Sequence, residues 1–333
     1  MKAVSTIHAG KAGAAATAGV AHGHRGNVKA VLALAVVLAA LPFCFTNSFY
    51  FDVAIRMGIN AILVIGLNLL IGYAGQLSLG HAGLFGIGAY ASGVLCGRLD
   101  WPPLLSLAVG AAVTGVLAYV VAKPILRLRG YMLAMATLGL GIIIYIVITN
   151  EAQWTGGPDG MAVPSLGALG WEVSGDLSWY VLVSVLLMAT TWGALNLINS
   201  PAGRALQSLH GSEIAASVVG VDTSRFKVRV FVLSAVIASI AGSLSAHYVG
   251  FITPGIAGFS HSIELVTMAV VGGMASVFGS IVGAALLTVL PQLLVQFDGW
   301  ETLVYGLILV LTMIFMPQGL VPTLRKRFEK RGA

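Results

Sequence analysis

The sequence predicts an all-α fold, a polytopic membrane helix bundle of about ten transmembrane helices. Two features of the composition carry this prediction: of 333 residues, 58% are hydrophobic and only 9% are charged. Soluble domains are roughly one quarter charged, so this composition excludes a soluble globular enzyme. The third feature is a series of apolar stretches. Most of them have a length of about 20 residues, which a helix needs to cross a bilayer.

Ten apolar stretches follow one another along the chain. The first is either a retained helix or a signal peptide, and we favour a retained helix because no small-residue cleavage site follows Pro42. The chain therefore divides into a polar lead at 1–29, expected to be disordered, a transmembrane domain at 30–321 and a basic tail at 322–333. The ten stretches are 30–45, 50–71, 78–97, 103–126, 131–149, 179–198, 228–249, 262–277, 280–297 and 302–321.

The distribution of charge predicts which segments face the cytoplasm. The lead has basic residues and no acidic one, and the loop 199–227 and the tail 322–333 are also rich in Lys and Arg. The loop 150–178 carries only acidic charges. Since Lys and Arg concentrate on the cytoplasmic side, we place 150–178 outside and the other three segments inside. Ten spans with both termini in the cytoplasm satisfy all these assignments.

The sequence contains no motif for a nucleotide, a zinc ion or a calcium ion: GxxxxGK[ST], HExxH and DxDxDG are all absent. Cys44 and Cys96 lie in apolar stretches without CxxC spacing and are interpreted as small core residues. No basic run is interleaved with aromatic residues, so we expect membrane lipid around the chain and no nucleic-acid partner. We expect no catalytic residue, metal or cofactor in the chain itself.

The segment 72–90 (GYAGQLSLGHAGLFGIGAY) places many glycines and several uncharged polar groups at membrane depth. Broken backbone is tolerated there only where protein or a water-filled path shelters it. Gln76, Ser78 and His81 are therefore candidates for lining a translocation path. The alternative is that the glycines permit tight helix crossing and the polar groups cap broken backbone. Both this segment and 271–283 are rich enough in glycine for the helix to be interrupted.

Ionisable residues within the apolar stretches are few, and such residues indicate function by default. Asp52 and Arg56 are four residues apart, which favours a mutual ion pair. Glu264 lies beside His261 near the outer end of a predicted span, and sequence spacing identifies no partner for it. It is a candidate for meeting a cationic group of a solute, although a hydrogen-bonded structural carboxylate is the favoured interpretation.

The loop 199–227 has the sequence signals of two short helices at the membrane surface. Ser200 is an N-cap followed by proline, and Ser212 is the N-cap of a second helix that begins with Glu213 and ends at Gly220. The second helix is too short to bury its small apolar face alone, which suits docking into a groove of another protein. The alternative is a solvated connector.

Four motifs in order make the chain resemble the membrane permease subunits of branched-chain amino acid ABC importers, the LivM type. They are the run 72–90, the stretch 129–139 (RGYMLAMATLG), the turn 155–160 (TGGPDG), and the loop that begins SPAGRAL at Ser200 and extends to Gly220. The similarity spans about 50–322 and leaves the lead unaccounted for.

The resemblance implies a type II importer-like permease in the bacterial inner membrane. Its partners would be a second homologous permease, two cytoplasmic P-loop ATPase subunits that bind ATP and Mg²⁺, and an extracytoplasmic solute-binding protein. The ATPase-coupling loop would hold Arg204, Glu213, Ala215, Ala216 and Gly220. Ile214 departs from the family's Glu-Ala-Ala-x-x-x-Gly pattern by adding one residue before the alanine pair. The pattern therefore does not assign which side chain occupies which position in the ATPase groove.

The resemblance implies leucine, isoleucine and valine as solutes, while related permeases serve urea, amides or aromatic acids. The competing class is a secondary transporter driven by an ion gradient, which also uses broken helices at membrane depth. In that class Glu264 would carry the coupling ion, but the capped loop 199–227 would have no role.

Overall fold

The computed structural model describes residues 30–43, 47–128, 130–168, 171–294 and isolated positions between 303 and 323. The described chain is mostly helical. The helices are α1 (Ala30–Phe43), α2 (Ser48–Asn68), α3 (His81–Leu99), α4 (Pro103–Ile125), α5 (Tyr131–Asn150), α6 (Ala152–Thr155), α7 (Asp176–Asn199), α8 (Pro201–Gly211), α9 (Glu213–Val218), α10 (Thr223–Val249), α11 (Phe259–Gly272) and α12 (Val277–Leu294).

Six of these helices are long and apolar enough to cross a membrane: α2 with its extension to Tyr73, α3, α4, α5, α7 and α10. Three shorter apolar helices, α1, α11 and α12, coincide with predicted stretches 30–45, 262–277 and 280–297. Half of the positions of the tenth predicted stretch, 302–321, lie outside the described residues, as do the lead and most of the tail. The prediction of a polytopic helix bundle is confirmed, and the count of ten spans stays a prediction.

Helix α2 lies at the centre of the described bundle. In its most apolar window 78% of residues are buried, against 33% in α4, 33% in α5 and 28% in α7. The outward faces of the last three helices carry large exposed apolar side chains, as expected for contact with lipid tails. These include Val116, Val120, Ile143, Ile146, Val147, Val185 and Trp192.

Small residues let α3 and α10 approach closely. A Cβ at Gly88 would overlap the carbonyl of Ser239, and a Cβ at Gly242 would overlap the carbonyl of Phe85. Such contact brings the two backbones together and compensates for the absence of a hydrophobic driving force between helices in lipid. The abundance of glycine in this chain thus has a specific structural use here.

The segment 150–178 departs from a purely helical fold. Strand β1 (Met161–Ala162) pairs antiparallel with β4 (Phe251–Ile252), and β2 (Gly167–Ala168) pairs antiparallel with β3 (Trp171–Glu172). Gly160 adopts a positive φ of 79° directly before β1. The β1–β4 pair joins the loop to the segment that follows α10, at the end of the bundle away from α8 and α9, and the β2–β3 pair forms within the loop itself.

Candidate functional site

Two interrupted helices meet inside the bundle. The first interruption follows α2, which continues as a single π-helical turn (Leu69–Tyr73) and then as non-helical chain until α3 begins at His81. The span predicted to start at Ser78 starts three residues later, because the backbone at Ser78 is not helical. One physical reason is Gly75, whose φ of +65° is a conformation that a right-handed helix does not contain.

The second interruption lies between α11 and α12, and Asn68 of α2 holds it in place. The Asn68 side-chain amide donates to the carbonyls of Gly273 and Ser276 at 3.3 and 3.0 Å, and to the Ser280 hydroxyl at 2.6 Å. Its carbonyl oxygen accepts from the backbone N–H of Ala275 at 3.0 Å. One side chain therefore satisfies backbone groups that the broken helix cannot pair internally.

The two interruptions also touch directly. A Cβ at Gly72 would overlap both the backbone nitrogen of Ala275 and the side chain of Asn68. The predicted interruptions at 72–88 and 271–283 are thus confirmed in a narrower form, as non-helical segments at 75–80 and 273–276. Asn68 was not identified from the sequence, although an amide in an apolar run next to a Gly-rich segment was a signal that could have identified it.

Of the four candidate path residues, three lie together at the first interruption. Gln76, Ser78 and His81 are all buried. His81 lies with Nε2 3.4 Å from the Ser234 hydroxyl, which itself donates to the carbonyl of Gly66 at 2.6 Å. The side-chain nitrogen and oxygen of Gln76 have no hydrogen-bond partner among the described residues. The same is true of Nδ1 of His81. Protein shelters these groups in this conformation.

Glu264, the fourth candidate, belongs to a neighbouring cluster. Its carboxylate lies 3.3 Å from Nδ1 of His261, one turn earlier on α11. Helix α11 is joined to the first interruption because the Ser262 hydroxyl accepts from the backbone N–H of Ala82 at 3.2 Å. The favoured interpretation of Glu264 as a hydrogen-bonded carboxylate therefore has a specific partner, and that partner is the adjacent histidine.

The ion pair predicted between Asp52 and Arg56 is present. The Arg56 Nε lies 3.0 and 2.9 Å from the two carboxylate oxygens of Asp52. Asp52 also accepts from the Tyr248 hydroxyl at 2.8 Å, which links α2 to the last turn of α10. The tyrosine was not identified from the sequence because it is distant from Asp52 along the chain.

The two short helices of the loop 199–227 have the predicted bounds and caps. The Ser200 hydroxyl accepts from the N–H of Gly203 at 3.2 Å, and the Ser212 hydroxyl accepts from the N–H of Ala215 at 3.2 Å. Gly220 follows α9 with a φ of +84° and ends it. Arg204 is exposed and its Nη1 donates to the carbonyl of Asn199 at 3.3 Å.

Helix α9 buries one of its own residues, Ala216, against the protein and exposes its larger apolar side chains. Ala216 is 2% exposed, whereas the exposed fractions of Ile214, Val218 and Val219 are 67%, 81% and 76%. Ala215 is exposed as well. An exposed apolar patch on a short, capped helix is typical of a protein interaction surface.

Glu213 fixes α9 to the start of α10. Its Oε1 lies 2.8 Å from Nζ of Lys227, and the side chains are 26% and 11% exposed. The preceding helix α8 reaches the first interruption, because Gly75 lies against His210 and an added Cβ would be 3.0 Å from its Nδ1. The loop therefore contacts both a spanning helix and the broken segment that holds Gln76, Ser78 and His81.

These features define the chain as a polytopic α-helical membrane protein with broken helices and an exposed loop that contains two capped short helices. A family model described as branched-chain amino acid transport system / permease component matches residues 49–317. The chain belongs to this family of transport permeases. The resemblance inferred from the sequence motifs is confirmed.

Curated relatives agree with the family model. The high-affinity branched-chain amino acid transport system permease protein LivM of Escherichia coli is 35% identical over 331 residues, which cover 91% of this chain and 77% of that protein. LivM of Salmonella typhimurium is 33% identical over 326 residues, covering 91% and 76%. The permease protein LivH of Escherichia coli is 25% identical over 284 residues, covering 78% and 90%. No solved structure matches the chain.

Proposed function

We propose that this chain is a translocation subunit of an ATP-binding cassette importer for the branched-chain amino acids leucine, isoleucine and valine. It carries no ATPase site of its own, and ATP and Mg²⁺ bind to partner subunits. It crosses the bacterial inner membrane about ten times with both termini in the cytoplasm, in keeping with the charge bias of its loops. The substrate assignment is supported by the names of the LivM and LivH relatives.

The proposed complex has four kinds of subunit. A second homologous permease completes the path, two cytoplasmic P-loop ATPase subunits drive it, and an extracytoplasmic solute-binding protein delivers the amino acid. Relatives named as two different permease proteins of branched-chain amino acid transport, LivM and LivH, support the heteromeric arrangement.

The observation that carries the coupling proposal is the exposed apolar surface of α9. Ile214, Val218 and Val219 dock in a groove of an ATPase subunit, with Arg204 and Ala215 near the contact. Glu213 transmits the movement of α9 to α10 through Lys227. Contact between His210 and Gly75 transmits it to the first helix interruption.

In this mechanism the loop 199–227 acts as a rigid lever between two states of the bundle. Gln76, Ser78 and His81 are buried, and the Gln76 amide and His81 Nδ1 have no hydrogen-bond partner among the described residues. They become accessible to the solute when the first interruption moves away from its neighbours. The ATPase cycle thereby changes access from one side of the membrane to the other.

Purification in gentle detergent from the native membrane tests the proposed subunit composition. A tagged chain is isolated, every co-purifying protein is identified, and ATP hydrolysis is measured. We expect P-loop ATPases and a second permease in the purified complex. Isolation of the chain alone, with solute accumulation driven by an ion gradient, would instead establish a secondary transporter with Glu264 as the leading coupling residue. An intact complex that moves urea, amides or aromatic acids would correct the substrate alone.

A further inference from the structure

A cavity of about 190 Å³ is lined by residues of α2, α3, α10, α11 and α12. It is at the end of the bundle away from α8 and α9, because Tyr248 at its wall is in the last turn of α10. The 27 residues of α10 give a length of about 40 Å at 1.5 Å per residue. Phe85 contributes to the wall one helical turn after His81, so the cavity adjoins the proposed path.

One side of the cavity presents a cation held in a fixed position. Arg56 lines the cavity, and its Nε is engaged by Asp52 at 2.9 Å. The guanidinium has further N–H donors in a planar arrangement that matches a carboxylate. Tyr248 also lines the cavity and donates to the same Asp52, which keeps both side chains in place. This side of the cavity can bind the carboxylate of a solute.

A zwitterionic solute also needs a hydrogen-bond acceptor for its ammonium group, and His261 can supply one. Its Nδ1 lies 3.3 Å from the Glu264 carboxylate. A neutral ring that donates from Nδ1 to this carboxylate has Nε2 as its acceptor. Nε2 is buried and has no hydrogen-bond partner among the described residues. The negative charge of Glu264 behind the ring favours a cation in front of it.

The remaining walls combine neutral polar and apolar groups. Asn60 donates to the Thr288 hydroxyl at 2.9 Å, so these two groups satisfy one another. Ile59, Val249 and Ile256 supply aliphatic surface beside Phe85. A mostly apolar cavity with a few positioned polar groups is typical of a small-molecule site.

We propose that this cavity is a binding subsite for a zwitterionic aliphatic α-amino acid on the outer part of the path. Arg56 binds the carboxylate, Nε2 of His261 accepts from the ammonium group, and Ile59, Phe85 and Ile256 contact the branched side chain. The inference rests on the proposed function, since it takes the transported amino acid as the ligand. It adds selectivity within the permease to any selectivity in the solute-binding protein.

Equilibrium binding of radiolabelled L-leucine to the assembled complex in nanodiscs, without the solute-binding protein, tests the subsite. Three pocket variants are compared: Arg56→Gln, His261→Phe, which keeps an aromatic ring beside Phe85, and Val249→Trp, which adds bulk at a partly exposed position of the cavity wall. Arg98→Gln and Val116→Trp are matched controls on exposed positions outside the cavity. Competition with 4-methylpentanoate and 3-methylbutylamine tests the need for both charged groups.

We expect saturable binding that Arg56→Gln and His261→Phe each weaken by about tenfold or more, the loss typical of one hydrogen bond to a charged group, and that Val249→Trp weakens by occupying space in the cavity. The exposed controls retain binding, and neither singly charged analogue competes as well as leucine. A wild-type complex that transports leucine but shows no saturable binding, or binding that the pocket variants leave unchanged, would overturn the subsite and leave the proposed function intact. A complex that hydrolyses ATP but neither binds nor transports leucine would overturn both.

Discussion

Glu213 Oε1 and Lys227 Nζ are 2.8 Å apart, and this ion pair joins α9 to the first turn of α10. Both side chains are more than two thirds shielded from solvent, so the pair is screened less by salt than a surface pair. A movement imposed on α9 from the cytoplasm is therefore passed to a helix that packs against α2, α3 and α4.

Lys227→Gln is expected to lower leucine uptake severalfold while the ATPase subunits remain bound. The physical reason is that Glu213 loses its cation, at a cost of about 1.5–3 kcal/mol for a charge-assisted hydrogen bond. ATP hydrolysis and uptake are measured together in reconstituted complexes, with Glu213→Gln and the double variant completing a cycle. The control is Arg225→Gln, which removes the exposed Asp222–Arg225 pair. Equal losses in the control and in Lys227→Gln would argue against the lever.

Ile214→Asp and Val218→Asp are each expected to abolish co-purification of the ATPase subunits. A carboxylate on the exposed apolar surface of α9 would have to be desolvated in the docking groove. The chain should still insert, since both positions are solvent-exposed. Ser208→Asp, at an exposed position of α8, is the control for added charge in the same loop. Retention of the ATPases by both α9 variants would remove the docking assignment.

Asn68→Leu is expected to lower the thermal stability of the complex in detergent. The substitution leaves the buried carbonyl of Gly273 without its side-chain partner, at about 1–3 kcal/mol for an unsatisfied buried group, and also removes the partner of the part-buried Ser276 carbonyl and Ala275 N–H. Asn150→Leu is the matched control, because that exposed amide only bonds the Ile146 carbonyl in its own helix. Unchanged stability in Asn68→Leu would show that the second interruption does not depend on this side chain.

Gly242→Ala is expected to destabilise the bundle by about 1–3 kcal/mol, the usual cost of overpacking. The added methyl group overlaps the carbonyl of Phe85 and pushes α3 away from α10. Gly139→Ala is the control, since no heavy atom lies within 4 Å of an added Cβ there, and alanine is the better helix former. Thermal unfolding followed by fluorescence compares the two. A stable Gly242→Ala complex would contradict the close packing of these helices.

Local features were predictable from the sequence, and tertiary ones were not. The caps at Ser200 and Ser212 and the ion pair between Asp52 and Arg56 involve residues a few positions apart, where spacing determines contact. The contacts of Asn68 with Ser276 and Ser280 join residues more than 200 positions apart. No periodicity encodes such a contact.

In the candidate site, too, local features were predictable from the sequence and tertiary contacts were not. Glycine content predicted that the segment around Gln76, Ser78 and His81 would be interrupted, because glycine adopts backbone conformations that other residues avoid. It gave no information on the partner of His81, which is Ser234 on α10. The predicted ATPase-coupling role of Glu213 likewise stays a prediction, and its contact with Lys227 emerged only from the way the loop folds back on α10.

Uptake into proteoliposomes tests whether ATP hydrolysis by partner subunits drives leucine across the membrane through this permease. The complete complex is reconstituted with the solute-binding protein, and radiolabelled leucine uptake is followed with and without ATP and with an ionophore that collapses ion gradients. We predict uptake that requires ATP and persists with the ionophore. Uptake by the chain without ATPase subunits, abolished by the ionophore, would contradict the account.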